Sequence, residues 1–517
     1  MIGRTLFAAI GILIATAATA RPAAPTVETL QGPVTGLASD DGMVAFRGIP
    51  YALPPVGPLR WKPPAPPARW STPRDATQFG PPCPQSAIGE NGGGRNAVPG
   101  TPSEDCLTLN VSTPAKRDRP LPVMVWVHGG AHRIGSGAAP FYDGAAFARD
   151  GVILVTLNYR LGLLGYFAHP ALTAEAGPDA PLANYGTMDQ IAALRWVHDN
   201  IARFGGDPGN VTVFGESAGG VATLLMLTMP EARGLFAKAI VESGGGWNVM
   251  PDLAASERAG MAATGLDATA TVDQLRALPL SALGSVKAGV GFGPVIDGRL
   301  VRESIAAAFA AGHAADIPLI IGANSDEGSL MESFGMTPEQ VLAPIPQPLR
   351  DVLRKQYGGQ ASDDPGLARR LFGDGAFAAP ARWIARTAAD GAPAWLYRFD
   401  YVPGILRARR AGVVHGGEIP FVFDSWKAMP MVDGLLTAED RAEVATVHGC
   451  WVAFARTGVP TCNGAPAWPA YSAGEDATMN FGTQNAVVRQ FDKPAYDLLE
   501  RLLLPRALAP LEAAGTR

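Results

Sequence analysis

Six short runs of this chain are apolar at nearly every position. They are Leu121 to Val127, Val152 to Leu157, Val211 to Phe214, Ala237 to Val241, Ile317 to Ile321 and Ala394 to Phe399. A strand with one wet face alternates apolar and polar residues; a strand covered on both faces does not. These runs, rich in Val and Ile, therefore predict strands buried between two helical layers. Between two of them, Ile191, Leu194, Val197, Ile201 and Phe204 step by three or four within Gly186 to Phe204, as on one helix face. Alternating strands and helices predict an α/β fold with a large, mostly parallel central sheet flanked by helices. A length of 517 residues sets a soft prior of about three domains. Consecutive strands of one sheet argue instead for a single domain over 21–517. Hydrophobic residues make up 47% of the chain, ample for a core of that size. The 61 glycines and 46 prolines follow no fixed period, which excludes collagen and argues against wholesale disorder. Ser86 to Ser103, rich in Gly, Pro and Asn, reads as a surface loop.

The N-terminus reads as a signal peptide over residues 1–20. Arg4 supplies the positive region, Leu6 to Ala17 the apolar stretch and Ala18-Thr19-Ala20 a small-residue cleavage site. That stretch is short for a membrane span, and no later run reaches about 18 apolar residues. The expectation is an exported protein, periplasmic or extracellular, with no stable membrane insertion once the leader is removed. Tyr496 to Leu508 reads as an amphipathic packing helix. Export permits disulfides. Sequence proximity among the four cysteines favours Cys83–Cys106 and Cys450–Cys462. No CxxC or Cys/His cluster is present, so no metal site is expected. The net charge of −5 offers no basic field for nucleic acid. The sequence specifies no oligomeric state.

The strongest motif is Gly215-Glu216-Ser217-Ala218-Gly219, after the run Val211 to Phe214 and before the helical run Val221 to Leu227. G-x-S-x-G at a strand-to-helix turn is a nucleophile elbow: the turn lifts the hydroxyl clear of the sheet, and larger side chains two residues either side would clash. A serine nucleophile needs a base, and histidine has the pKa for it. In this arrangement the partners follow in the order serine, acid, histidine. That order removes His128, His132, His169 and His198, and His313 leaves little room for an acid ahead of it. His448 falls in a helical pattern with Val444, Val447 and Trp451. His415, in the glycine-flanked Val413-Val414-His415-Gly416-Gly417, is the expected base. The acid should sit just past a strand end. Asp326 and Glu327 follow Ile317 to Ile321, and spacing alone does not separate them. Leu121 to Val127 runs into His128-Gly129-Gly130-Ala131, where backbone N–H groups can converge unobstructed. Gly130, Ala131 and Ala218 are the expected oxyanion donors.

With these parts the chain resembles the type-B carboxylesterases, the cholinesterase-like members of the α/β-hydrolase fold. The resemblance covers nearly all of the chain after residue 20. It rests on Phe46-Arg47-Gly48-Ile49-Pro50-Tyr51-Ala52, Pro54-Pro55 and Gly57, and on Ser103-Glu104-Asp105-Cys106-Leu107. Asn158-Tyr159-Arg160, Asp189-Gln190, Phe204-Gly205-Gly206-Asp207-Pro208 and the elbow itself add to it. The resemblance implies Glu327 as the acid, His415 as the histidine of a His-Gly-x-Glu motif, a Cys83–Cys106 bridge and an Arg60–Glu104 ion pair. It implies a serine carboxylesterase that hydrolyses small-molecule esters through an acyl-enzyme on Ser217, without cofactor. Lipases, amidases and detoxifying ester hydrolases share the fold and are the alternatives. Non-catalytic adhesion relatives have a broken triad, whereas all three positions are intact here. Residues 84 to 105 contain no aromatic, which disfavours a choline-binding tryptophan in that loop. The residues after the oxyanion turn are His132 and Arg133, expected near the acyl site and suited to polar or anionic acyl groups. Glu216, beside the nucleophile, and Trp247, after Ser243-Gly244-Gly245-Gly246, are further candidates to line the substrate pocket.

Overall fold

Seven parallel strands occupy the middle of an 11-stranded sheet. In spatial order they are Ile153–Leu157, Leu121–Val127, Gly206–Glu216, Lys238–Glu242, Leu319–Asn324, Ala394–Phe399 and Ala477–Phe481. Antiparallel strands finish both edges: Ala486–Arg489 on one side, and Thr108–Pro114, Met43–Pro50 and Leu37–Ala38 on the other. A separate three-stranded sheet joins Thr26–Glu28, Pro33–Thr35 and Arg74–Asp75. The computed structural model describes residues 24–39, 42–85, 98–284 and 292–508. The expected leader, and residues 86–97 of the expected loop, lie outside them.

Alternation along each strand divides the core between the two faces. Val123, Val125, Val213, Val241, Ile321 and Leu396 face one layer. Met124, Trp126, Phe214, Ile240, Ile320 and Trp395 face the other. Each fully buried side chain of this size contributes roughly 1.5–3 kcal/mol. The first layer is closed by Tyr185–Asn200 and Ala218–Thr228, the second by Ala438–Thr457. The helix Ala438–Thr457 is bounded as its sequence requires: Thr437 and Asp440 form a reciprocal cap at its start, and Gly458, at φ 77°, ends it. The C-terminal helix begins at Lys493, three residues before the expected start, and carries Pro505 inside it.

The long connections are pinned by polar contacts. Arg60 meets Glu104 through two hydrogen bonds of 2.7 and 2.6 Å. Arg160 meets buried Asp189 at 2.8 and 2.7 Å. Cys83–Cys106 and Cys450–Cys462 are both bonded. Among the described residues no helix is long and apolar enough to cross a membrane.

Candidate active site

Ser217 stands where the strand Gly206–Glu216 turns into the helix Ala218–Thr228, with φ 56° and ψ −122°. Positive φ on a non-glycine residue is strained and persists only where its surroundings enforce it. The surroundings here leave no alternative. A Cβ on Gly219 would lie 1.9 Å from the carbonyl oxygen of Val127, and one on Gly215 would lie 2.6 Å from the Gly219 backbone. The Ser217 N–H donates to the Glu242 carbonyl at 2.8 Å, tying the turn to the next strand.

The expected acid arrives two strands away. Glu327 follows the strand Leu319–Asn324 and starts the turn Glu327–Ser329. Its Oε1 accepts from the Asn324 N–H at 2.7 Å and from Ser243 Oγ at 2.5 Å. Its Oε2 is 2.5 Å from His415 Nδ1. Because an ionised carboxylate only accepts, this contact assigns the proton to Nδ1. Asp326, which spacing left as an alternative, turns away and is gripped by Arg369 at 2.6 Å on both oxygens. The loop carrying His415 is fixed by a bridge between Asp326 and Val414 and by the His415 N–H donating to Ser329 Oγ at 3.0 Å.

His415 Nε2 lies 3.1 Å from Glu216 Oε1, so this edge of the ring faces the elbow. Burial pushes the imidazole pKa down, but the Glu216 and Glu327 carboxylates outweigh it and raise it to about 9. Behind Glu216 lie two more buried carboxyls. Glu242 accepts from Trp451 Nε1 at 2.7 Å, and Glu418 accepts from the Asn324 side chain. Burial first, then repulsion within the cluster, raises both and favours their neutral forms. Sequence reading left Ser243, Glu242 and Glu418 without roles. Glu418 was signalled, since it is the glutamate of His415-Gly416-Gly417-Glu418.

The expected oxyanion turn lies against the elbow. A Cβ on Gly129 would meet Glu216 Oε2 at 2.6 Å and Ser217 Cβ at 3.1 Å. Gly130 has φ 105°, Ala131 55° and His132 56°. The Gly130 carbonyl accepts from the N–H groups of Arg133 and Ile134, which closes the turn. The N–H groups of Gly130, Ala131 and Ala218 have no acceptor among the described residues.

The expected pocket residues divide. His132 is buried with Nδ1 3.3 Å from the Tyr166 hydroxyl. Burial, and then the neighbouring His128, lowers its pKa to about 3. It is therefore neutral at ordinary pH and offers no charge to an anionic acyl group. Arg133 is half-buried, with no carboxylate partner among the described residues. Glu216 is buried against His415 and Gly129 rather than forming an open wall. Trp247 is buried, its ring 6.5 Å from that of Trp383. Phe377, not anticipated, is half-buried with its ring 5.1 Å from that of His415.

The arrangement offers a strained serine, a carboxylate-backed histidine and convergent backbone donors, the components of acyl transfer. Residues 23–499 match the model of the carboxylesterase family. The chain is 38% identical to para-nitrobenzyl esterase of Bacillus subtilis (strain 168), over 86% of this chain and 92% of that protein. It is 37% identical to fumonisin B1 esterase of Sphingopyxis macrogoltabida, over 88% of this chain and 86% of that protein. A solved carboxylesterase of Geobacillus stearothermophilus superposes with a TM-score of 0.79 at 34% identity, covering 91% of this chain and 99% of that one. These likenesses make the fold an α/β-hydrolase fold, and with it the chain belongs to the carboxylesterase family and is a carboxylic ester hydrolase.

Proposed function

We propose that this protein hydrolyses esters through an acyl-enzyme on Ser217, with Glu327 and His415 completing the triad. The observation that carries the reading is the 2.5 Å contact of Glu327 with His415 Nδ1, which leaves Nε2 toward the elbow. Ser217 Oγ attacks the ester carbonyl carbon as its proton passes to His415 Nε2. The N–H groups of Gly130, Ala131 and Ala218 receive the oxyanion. Collapse breaks the ester C–O bond, and the alcohol leaves with the proton from His415. Water then attacks the acyl-enzyme, giving its proton to His415, and the acid departs as Ser217 regains its hydrogen.

A serine-directed phosphonate should label Ser217, and Ser217→Ala should lower kcat by about 10⁴–10⁶-fold. Labelling elsewhere, or near-normal turnover by Ser217→Ala, would overturn the reading. The leader expected over residues 1–20 and the two disulfides support export. N-terminal sequencing of the mature protein should then begin at residue 21.

Arg133, which follows the oxyanion turn and has no carboxylate partner among the described residues, supports a preference for acyl groups that bear negative charge. Across p-nitrophenyl esters, Arg133→Ala should lower the ratio of rates on acidic over neutral acyl chains. An unchanged ratio removes that preference.

A further inference from the structure

The loop that presents His415 has a second face, and it closes a pocket that ester hydrolysis does not use. The pocket has a volume of about 150 Å³. Val402, Leu406, Pro420, Met429 and Val432 give it apolar walls, and Gly412, Val413 and Gly417 of the histidine loop complete them. An apolar cavity of this size accommodates a benzene-sized group. Of the residues that line it, Arg410 is the exposed one and so stands at the mouth.

Charge at the mouth is one-sided. Neither Arg409 nor Arg410 has a carboxylate partner among the described residues. The nearby acids are already engaged. Glu439 pairs with Arg407 at 2.7 Å, and Asp433 with Arg441 at 3.1 Å. Asp440 accepts from the Tyr401 hydroxyl at 2.8 Å and from the Gly404 N–H at 2.9 Å. Trp426, buried in the lining, carries an indole N–H with no acceptor among the described residues.

Apolar walls select a hydrocarbon or aromatic group. A cation at the rim selects a negative headgroup, which stays hydrated at the mouth because burying a carboxylate unpaired is costly. We infer that this pocket binds a small aliphatic or aromatic carboxylate, tail inward and headgroup on Arg410. That is also the chemical class of acid an ester hydrolase releases, so the pocket offers a product-sized acid a place against the loop that carries His415. The inference does not depend on which residue is the nucleophile.

The test is a titration of the full chain with hexanoate, followed by saturation-transfer NMR, with hexanamide as the neutral comparator. Burial of the five-carbon tail sets an expected Kd of about 1 mM. Val432→Trp fills the pocket and Arg410→Glu reverses the charge at its mouth. Each should weaken hexanoate at least about tenfold. Hexanamide should bind more weakly than hexanoate to the unaltered protein and should be insensitive to Arg410→Glu. Both variants should keep the thermal midpoint and the turnover of p-nitrophenyl acetate, since neither residue touches the reacting groups. Hexanoate binding unchanged by both variants places the acid elsewhere and overturns the inference. Sensitivity to Val432→Trp alone rejects the carboxylate, and no saturable binding by about 10 mM rejects the site.

Discussion

At the scale of single residues, the proposed mechanism turns on the charge of His415. Only the neutral imidazole can take the Ser217 proton. Burial favours that neutral form; Glu216 and Glu327 favour the cation and prevail, raising the pKa to about 9. The acidic limb of kcat/KM should therefore lie above the ordinary histidine value of 6.5, toward 9. Glu216→Gln removes the largest of the Coulombic contributions that raise this pKa and should move that limb to lower pH. A purely structural role for Glu216 would lower the plateau and leave the limb where it was, so the pH profile separates the two. Ser217 and His415 stand out in the sequence because glycines bracket both. Spacing alone left the acid open because Asp326 and Glu327 are adjacent; the resemblance pointed to Glu327, and in the structure Arg369, 43 positions from Asp326, draws the Asp326 carboxylate aside. Ser243, Glu242 and Glu418 stayed unread as site residues because their meaning comes from neighbouring strands. Ser243 reaches Glu327 across 84 positions, and Glu242 reaches Trp451 across 209.

Among the elements, legibility followed burial. The runs Leu121–Val127 and Ala394–Phe399 keep their predicted limits, since strands covered on both faces are apolar at nearly every position. The strand Gly206–Glu216 extends past the predicted Val211 to Phe214 at both ends. Its first half carries Asp207, Pro208 and Asn210, which no apolar pattern marks. The short edge strands Leu37–Ala38 and Ala486–Arg489 are half-wet and escaped notice for the same reason. The element hardest to foresee is the π-helical turn Asp374–Ala378, set between the helices Asp364–Gly373 and Ala379–Ala388. Such turns carry one extra residue and recur at functional sites. Here a Cβ on Gly245 would lie 2.5 Å from the Ala376 carbonyl, and one on Gly373 3.2 Å from Glu327 Cβ. The turn is thus wedged between the Ser243–Gly246 bend and the acid, and it carries Phe377 to His415. Its outer side is held by Arg370, which bridges Asp374 at 3.1 Å and Asp492 at 2.5 Å. Nothing in Asp-Gly-Ala-Phe-Ala announces this, because the extra residue is imposed by what packs on either side.

For the whole molecule, a net charge of −5 is too small to govern the pH response, and the buried groups govern it instead. Burial first, then repulsion from neighbouring carboxylates (Glu418 for Glu242, Glu216 and Glu327 for Glu418), raises Glu242 and Glu418 above the ordinary 4.5. Burial likewise raises Glu443 to about 7. Groups raised on folding favour the protonated native state. The stability they contribute is complete below 4.5 and is lost as pH climbs through their folded values. His415 follows the same sign: its contribution is complete below 6.5 and is lost as pH passes about 9. Asp150 has the opposite sign. Its bond to His448, offset in part by burial and aided by Arg149, lowers it, so its contribution is present above 3.8 and is lost as pH falls. His128 and His132, lowered by burial to about 4 and about 3, share that sign and gain stability up to 6.5, so the decline with rising pH should be clearest from about pH 6.5 to about 9. Urea midpoints at several pH values across this range should decline with rising pH. Glu418→Gln, which keeps the shape and cannot ionise, should flatten the decline. A midpoint that holds level from acid to alkaline pH, or a slope that Glu418→Gln leaves unaltered, would show that the carboxyl cluster beneath the elbow is ionised in the native state. His415 would then sit above a fixed negative charge larger than its two direct contacts supply, and the acidic limb of the rate profile should lie correspondingly higher.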